Sequence, residues 1–421
     1  MSPITHCRSC GGAGLALVLS LGATPLANSL LDAGQLGADE PRYALDLVFC
    51  PACSLVQITE TVPPELLFRE YVYFSSFSDT MLRHAADIAR ELIAVRRLGA
   101  DSLVVEIASN DGYLLKNFVA AGVPVLGIEP ARNIAEVAQA RGVATVCEFF
   151  GATLADELAS AGRRADVIIA NNVMAHIPDI NGVVAGVARL LKPGGVFVVE
   201  TPYIADLVER LEIDTIYHEH LFYYSATAFE ALLRRHGLAM AGVEHIALHG
   251  GSIRITATHA DAAVPRPAAV DAWLERERAA GLINVSFYDG FAARVAALRR
   301  DLLALLGDLK ARGCRIAAYG ASAKGSTLLN AFGIGRETLD FVVDRSTVKQ
   351  GRYTPGSRLR IDAPERLLAD QPDYTLLLTW NFSEEILAQQ QEYQRRGGRF
   401  IVPLPSPQIV AATSAVIGGS E

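Results

Sequence analysis

Nowhere in the 421 residues do about 18 apolar residues run uninterrupted, so the chain offers no membrane-spanning helix. Nor is there a basic block or stripe. Lys and Arg number 38 against 46 Asp and Glu, a net charge of −8, and the backbone of a nucleic acid finds no electrostatic footprint here. Cysteine is scarce too: four of the six residues fall in two CxxC pairs, a poor start for a secreted disulfide framework. With charged residues at 20% and apolar ones at 51%, the composition is that of a folding chain rather than a disordered one.

What is present exceeds one hydrophobic core, so two or three domains are expected. The stretch Ala13 to Thr24 is apolar and followed by small residues, as in a secretory leader. A lone Arg8 makes a poor leader start, however, and the cysteine pair in front has a counterpart downstream. A cytoplasmic protein, monomeric and without membrane or nucleic-acid partner, is therefore expected.

The pairs Cys7/Cys10 and Cys50/Cys53, in CRSCGG and CPACS, have the two-residue spacing that lets both thiolates and the turn's amides converge on one ion, and they predict a closed, structural zinc site. Disulfides and a redox CxxC are the alternatives. The first is disfavoured in a cytoplasmic chain and the second by the lack of a βαβ context. Cys147 and Cys314 read as inert core residues.

Residues 1–65 read as short strands between the knuckles, a small domain for metal to staple. The run DTMLRHAADIARELIAV reads as a helix. From Ser102 apolar strands alternate with helical runs (SLVVEIA, PVLGIEP, ADVIIAN, GGVFVVE), the pattern of a parallel α/β sheet over 66–262. A Pro-containing segment opens a helical linker region, 263–312, and a second α/β series follows over 313–421 (CRIAAYGA, LDFVVDR, YTLLLTW, RFIVPLP).

The first strand of the middle series runs into Glu106-Ile107-Ala108-Ser109-Asn110-Asp111-Gly112, with a helix expected near Tyr113. Strand, tight small-residue loop and helix together let backbone amides approach a ligand. Some twenty residues on, the next strand ends at Glu129, spaced to accept both hydroxyls of a ribose. Loop plus acid fits NAD equally well. Two features favour S-adenosylmethionine: the loop is not GxGxxG, and Glu106 is placed to receive a cationic amino group. The strand end at Asn172 and a hairpin-like Leu190–Glu200 complete the order of a class I methyltransferase.

Tyr217-His218-Glu219-His220-Leu221-Phe222-Tyr223-Tyr224 is dense in the residue types that remove a proton beside a carbonyl and steady the enolate. A hydrogen-bonded core histidine and a second metal site remain open. In an extended segment His218 and His220 would share a face, so spacing does not choose between them. Tyr319-Gly320-Ala321-Ser322-Ala323-Lys324-Gly325-Ser326-Thr327 follows a strand and opens a helix without P-loop order. Its helix start and Lys324 suit a diphosphate; a plain βα turn is the alternative.

Taken with YVYFSS, GIEP, NNVMAHIPD, LLKPGG, LHGGSIR, VDRSTVKQGRYTPG and TWNFSEEI, these motifs resemble the C-methyltransferases of deoxysugar biosynthesis, similar to the D-tetronitrose and evernitrose 3-C-methyltransferases. The resemblance spans essentially the whole chain. It implies a small zinc-binding domain, a class I S-adenosylmethionine methyltransferase core of α/β fold and a second Rossmann-like domain at the C-terminus. It also implies a nucleotide-linked (dTDP or GDP) 4-keto-6-deoxy sugar as substrate, methylated at C3. His220 would be the base, Tyr217 and Glu219 would position it or the enolate oxygen, and Tyr71 and His176 would line the same cavity. Glu129 and Asn172 map onto cofactor contacts. Tyr319, Gly320, Lys324, Ser326, Thr327 and Asn330 would hold the nucleotide sugar. Ala108 departs from the Gly common in the family. A non-sugar carbonyl acceptor and a non-catalytic binding module are the competing readings.

Overall fold

The computed structural model describes residues 3–68, 76, 78–248, 250–262 and 266–410. The chain divides into two compact units. The first comprises residues 1–19, 46–206 and 218–289; the second comprises 20–45, 207–217 and 290–421.

A small sheet in the order β1-β2-β3-β9 is formed by β1 (Ala16–Thr24), β2 (Tyr43–Phe49), β3 (Val56–Ile58) and β9 (Phe222–Tyr223). The leader-like stretch is thus strand β1, and its buried Val18 and Leu19 account for its apolar character. In the first unit β3 pairs antiparallel with β9, Val56 opposite Tyr223.

The core of that unit is a seven-stranded sheet in the order β10-β11-β8-β7-β4-β5-β6. Its strands are β4 (Val104–Ile107), β5 (Val125–Ile128), β6 (Thr145–Val146), β7 (Ala165–Asn171), β8 (Leu191–Pro202), β10 (Leu238–Ile246) and β11 (Ser252–His259). All four residues of β4 are buried, as are all four of β5, because helices cover a parallel strand on both faces and select continuous apolar runs. The helix Asp79–Arg96 begins on a Ser78 side chain that accepts from Met81 N, and it turns Met81, Ala85, Ile88 and Ala89 inward at helical spacing. These pack with Tyr113, Leu115 and Phe118 against Val104, Val167 and Val198.

Several expectations need correction. Leu190–Glu200 is no hairpin: β8 runs from Leu191 parallel to β7, with Pro193 and Gly194 at its exposed start. The helix after the β4 loop is short and begins at Leu115, since the turn continues through Gly112, Tyr113 and Leu114. Residues 217–219 form a turn, so the same-face argument for His218 and His220 does not apply. Helix Ala268–Ala279 belongs to the first unit and helix Phe291–Ala311 to the second, so the 263–312 stretch is not one linker block. Cys147 and Cys314 are half-buried, one just past the two-residue edge strand β6 and the other in the turn before the next sheet begins.

The second unit holds a six-stranded sheet in the order β14-β13-β12-β15-β16-β17. It contains β12 (Ile316–Tyr319), β13 (Val342–Val343), β14 (Ile361–Asp362), β15 (Tyr374–Leu377), β16 (Arg399–Val402) and β17 (Gln408–Val410), parallel except for the last. No helix among the described residues is long and apolar enough to cross a membrane.

Candidate active site and metal centre

The two knuckles fold as mirrored turns. Gly11 N donates to Cys7 O at 2.9 Å, and Ser54 N donates to Cys50 O at 2.8 Å, so each pair's sulfurs face inward. All four Sγ atoms lie within 4.8 Å of one another, with Cys7 to Cys53 at 3.7 Å and Cys10 to Cys50 at 3.6 Å. Tetrahedral Zn–S bonds of about 2.3 Å place sulfurs about 3.8 Å apart, so the donor set fits zinc. Gln57 Nε2 donates to Cys7 Sγ at 3.1 Å and Gly12 N to Cys10 Sγ at 3.4 Å, the outer hydrogen bonds that a metal-binding thiolate needs. Arg8, between the first two cysteines, donates to the carbonyls of Ile58, Thr59 and Glu60 and to Thr61 Oγ1. Four thiolates leave no open coordination position, and this centre is structural.

At the carboxyl edge of the large sheet, the loop after β4 turns through left-handed residues: Ala108 at φ 53°, Asn110 at 48° and Gly112 at 76°. Such geometry costs an L-residue about 1–2 kcal/mol, so Ala108 is strained where glycine would be at ease. Gly127 in β5 is required by proximity, because a Cβ there would meet the side chain of Ser109. Glu129 closes the loop: Oε2 accepts from Asn110 N at 2.9 Å and Oε1 from Ala131 N at 2.8 Å. Each oxygen keeps a free lone pair. Burial raises the Glu129 pKa, an effect that the two N–H groups oppose. Glu106 is fully buried, and desolvation, then Glu129, then Asp111 hold its pKa well above the carboxylate range. Its Oε2 has no hydrogen-bond partner among the described residues. An acidic pocket with one unsatisfied oxygen favours a cationic ligand. Asn172, also left-handed at φ 54°, follows β7 on the same edge, its N–H donating to Glu200 O at 2.7 Å.

The His-rich segment is held beside the loop after β7. Leu221 N donates to Ala175 O at 2.7 Å, and Tyr224 Oη donates to Met174 O at 3.1 Å. This brings His176 edge-on to His220, ring centroids 4.7 Å apart at 79°. Burial pushes the His176 pKa down to about 4, despite a hydrogen bond with the Glu219 backbone, so its ring stays neutral near pH 7. His218 and Glu219 are buried, whereas His220 retains partial exposure. Tyr217 belongs to the second unit and His218 onward to the first. Tyr71 lies outside the described residues.

In the second unit β12 leads into Gly320, at φ 98°, and the helix Ala323–Phe332, whose Ser322 cap accepts from Gly325 N at 3.0 Å. Lys324 Nζ stands 5.2 Å from the Trp380 ring centre. Ser326 Oγ is buried without a hydrogen-bond partner among the described residues. Thr327 Oγ1 and Asn330 Nδ2 donate to backbone carbonyls, of Ala323 and of Ser326 and Pro355, and these bonds secure the turn itself. Tyr319 is buried, which pushes its hydroxyl up to about 12.

Sequence reasoning missed four groups. Asp111 pairs with Arg141 at 2.8 Å; Glu200 binds His84 at 2.8 Å and Arg254 at 2.6 Å; Asp344 and Lys349 flank the second unit's turn; Asp214 accepts from Trp380 Nε1 at 2.7 Å. Trp380 sits in TWNFSEEI and Asp214 in DTIYHEH, so position within a motif was the only signal available.

Three family models match successive stretches of the chain. A family model described as the C-methyltransferase C-terminal domain matches residues 247–405, a methyltransferase domain model matches 81–242, and one described as a candidate zinc binding domain matches 7–68. The C-methyltransferase NovU of Streptomyces niveus is 39% identical over 416 residues, 98% of this chain and 99% of that protein. A ubiquinone biosynthesis O-methyltransferase of Azorhizobium caulinodans is 29% identical over 124 residues, 29% of this chain and 47% of that enzyme. Among solved structures, magnesium protoporphyrin IX methyltransferase (ChlM) from Synechocystis PCC 6803 with bound SAM aligns at a TM-score of 0.33 and 15% identity, over 42% of this chain and 79% of that one.

Proposed function

This chain belongs to the C-methyltransferase family, and on that premise we propose that it methylates C3 of a nucleotide-diphospho-4-keto-6-deoxysugar, with His220 as the base. S-adenosylmethionine, when bound, supplies an electrophilic methyl group on a sulfonium. The loop Glu106, Ala108, Asn110 and Gly112, with Glu129 and Asn172, holds it: Glu106 faces the amino group, and the remaining lone pairs of Glu129 accept the ribose hydroxyls.

A carbon nucleophile is what the donor cannot provide. His220 removes the C3 proton, and the C–H electron pair moves toward the C4 carbonyl oxygen as enolate. C3 would then bond to the methyl carbon as the C4 carbonyl re-forms and the methyl–sulfur bond breaks, its electron pair remaining on sulfur in the departing S-adenosylhomocysteine. The observation that carries this reading is the His176–His220 pair. A neutral His176 at the ring edge does not repel the charge that His220 acquires on taking the proton, and partial exposure leaves His220 reachable where His218 is not. Glu219 and Tyr217 position the base or the enolate oxygen. Lys324 and the amides of the helix start after Gly320 take the diphosphate, with Tyr319, Ser326, Thr327 and Asn330 around them.

The zinc-loaded enzyme, incubated with S-adenosylmethionine and dTDP- or GDP-linked 4-keto-6-deoxysugar, is expected to add one methylene of mass at carbon. His220→Ala should lower turnover by about 10²- to 10⁴-fold with donor affinity preserved, and should abolish exchange of the C3 proton into deuterium oxide. Turnover within about tenfold of wild type, or a dead His218→Ala alone, overturns the base assignment. Methylation of oxygen on the sugar, or of a non-sugar ketone only, overturns the substrate.

A further inference from the structure

Two stretches stand outside the chemistry above: Ile213–Thr215, directly before Tyr217, and Trp380 in the turn after β15. Both lie in the second unit. The 3-10 turn Ile213–Thr215 packs against the helix Ala323–Phe332 that carries Lys324. Within it Asp214 is completely buried, and its Oδ2 accepts the indole N–H of Trp380 at 2.7 Å. The face of that same indole lies 5.2 Å from Lys324 Nζ. One aromatic ring thus touches a buried carboxylate with its edge and an ammonium with its face. The polarities match: the indole N–H is the positive end and the ring face the negative one. Burial raises the Asp214 pKa, and the positive Lys324, followed by the indole bond, works against that rise. A buried acid lacking such support would be strongly destabilising.

We propose that Asp214 is a positioning residue that links Lys324 to the segment bearing Tyr217. Through Trp380 it fixes the ammonium at the helix start, and through its own backbone it fixes the chain three residues before Tyr217. An anion that draws on Lys324 thereby acts on the same buried group that sets where Tyr217 emerges. The buried, unpartnered Ser326 hydroxyl on the first turns of that helix independently marks the place as one that receives a polar ligand. The inference rests on reading Lys324 as the diphosphate contact, and the experiment separates the two.

Asp214→Asn keeps an acceptor for the indole and removes the charge. In the full-length zinc-loaded enzyme it is expected to bind GDP or dTDP within about threefold of wild type while turnover of the keto sugar falls at least about tenfold at unchanged melting temperature, a split between kcat and binding that a merely structural role would not give. Lys324→Ala should weaken diphosphate binding about tenfold, and adding Asp214→Asn to it should cost turnover much less than Asp214→Asn alone. Additive losses, or Asp214→Asn turnover within about threefold of wild type, overturn the positioning role and leave the diphosphate site standing. Unchanged nucleotide binding in Lys324→Ala overturns the site and the proposal with it. Should Asp214→Asn fail to fold, Trp380→Phe replaces it, with the same kcat loss expected and the same outcome overturning it.

Discussion

After β4 and again after β12 the chain turns tightly at the carboxyl edge of a parallel sheet, and in both places an acid just past the next strand fastens the turn. Glu129 accepts from Asn110 N at 2.9 Å and from Ala131 N two residues on at 2.8 Å; Asp344 accepts from Ala321 N at 2.7 Å and from Ser346 N two residues on at 2.8 Å. The plans coincide and the charges do not. Beside Glu129 stands another acid, the buried Glu106, whereas Asp344 has Lys349 at 3.9 Å, whose ammonium also donates to Ala321 O at 2.9 Å. With its acid neutralised from within and Lys324 added, the second turn is suited to an anion. In the first, Arg141 takes up Asp111 at 2.8 Å, but Glu106 Oε2 has no partner among the described residues, and that oxygen suits a cation. One backbone device thus recurs with opposite charge beside the closing acid, Lys349 at Asp344 and the Glu106 carboxyl at Glu129.

The sharpest way to break this comparison is to remove both closing acids. Asp344→Ala should cost about 3–5 kcal/mol in urea unfolding, since it frees two N–H groups and leaves Lys349 buried without its counter-charge. Glu129→Ala should cost only about 1–3 kcal/mol, because the lost bonds are partly offset by relief of a buried acid, and it should weaken S-adenosylmethionine while Asp344→Ala does not. A larger stability loss from Glu129→Ala would contradict the reading.

Next in size is a crossed pair measured by calorimetry. Lys324→Ala should lower nucleotide diphosphate affinity by about 1.4 kcal/mol and leave S-adenosylmethionine binding alone. Glu106→Gln should do the reverse. If either variant moved both ligands equally, the two turns would not be separate sites of opposite sign.

A pH series sharpens the first turn further. Because burial raises the Glu106 pKa from its ordinary 4.5, the fold favours the neutral acid: that stability is fully present below 4.5 and is lost as pH rises through the raised value. Wild type and Glu106→Gln should therefore melt alike at low pH and diverge upward, with Glu106→Gln the more stable by about 1 kcal/mol or more. Melting curves that stay parallel to pH 8 would remove Glu106 as the titrating group.

The smallest expected effect is at Ala108. Ala108→Gly relieves left-handed strain but gives the unfolded chain more freedom, a net gain of about 0.5 kcal/mol, or about 1–2 °C in Tm. The second turn needs no such change, because glycine already occupies its left-handed position, Gly320.

How much of this the sequence disclosed follows from the range of each interaction. The knuckles were legible because each CxxC is local and the same short motif recurs, and the β4 loop because strand, small residues and a spaced acid occur in one stretch. Glu106 could be placed as a ligand for a cation, yet its missing partner was visible only once burial was known. Asp344 closing on Ala321 from 23 residues away, and Asp214 on Trp380 across 166, had no periodic trace. Spacing could not choose between His218 and His220, and the preference for His220 came from the family resemblance; in the fold the segment is a turn, and exposure differs between the two. Thr327 and Asn330 entered only through the family resemblance, and their bonds to the carbonyls of Ala323, Ser326 and Pro355 had no trace in the sequence.

The second unit draws residues 20–45 and 207–217 into itself besides 290–421. During synthesis its sheet therefore cannot close until β16 has left the ribosome, long after the large sheet of the first unit is complete, and the two earlier pieces must wait without their partners. Expression of residues 313–421 alone would leave that unit without its two earlier pieces and without the helix Phe291–Ala311. Exchange of the second unit between relatives would likewise have to carry three separated segments together, so a single crossover near residue 290 would yield a chimera whose second half is built from mismatched parts.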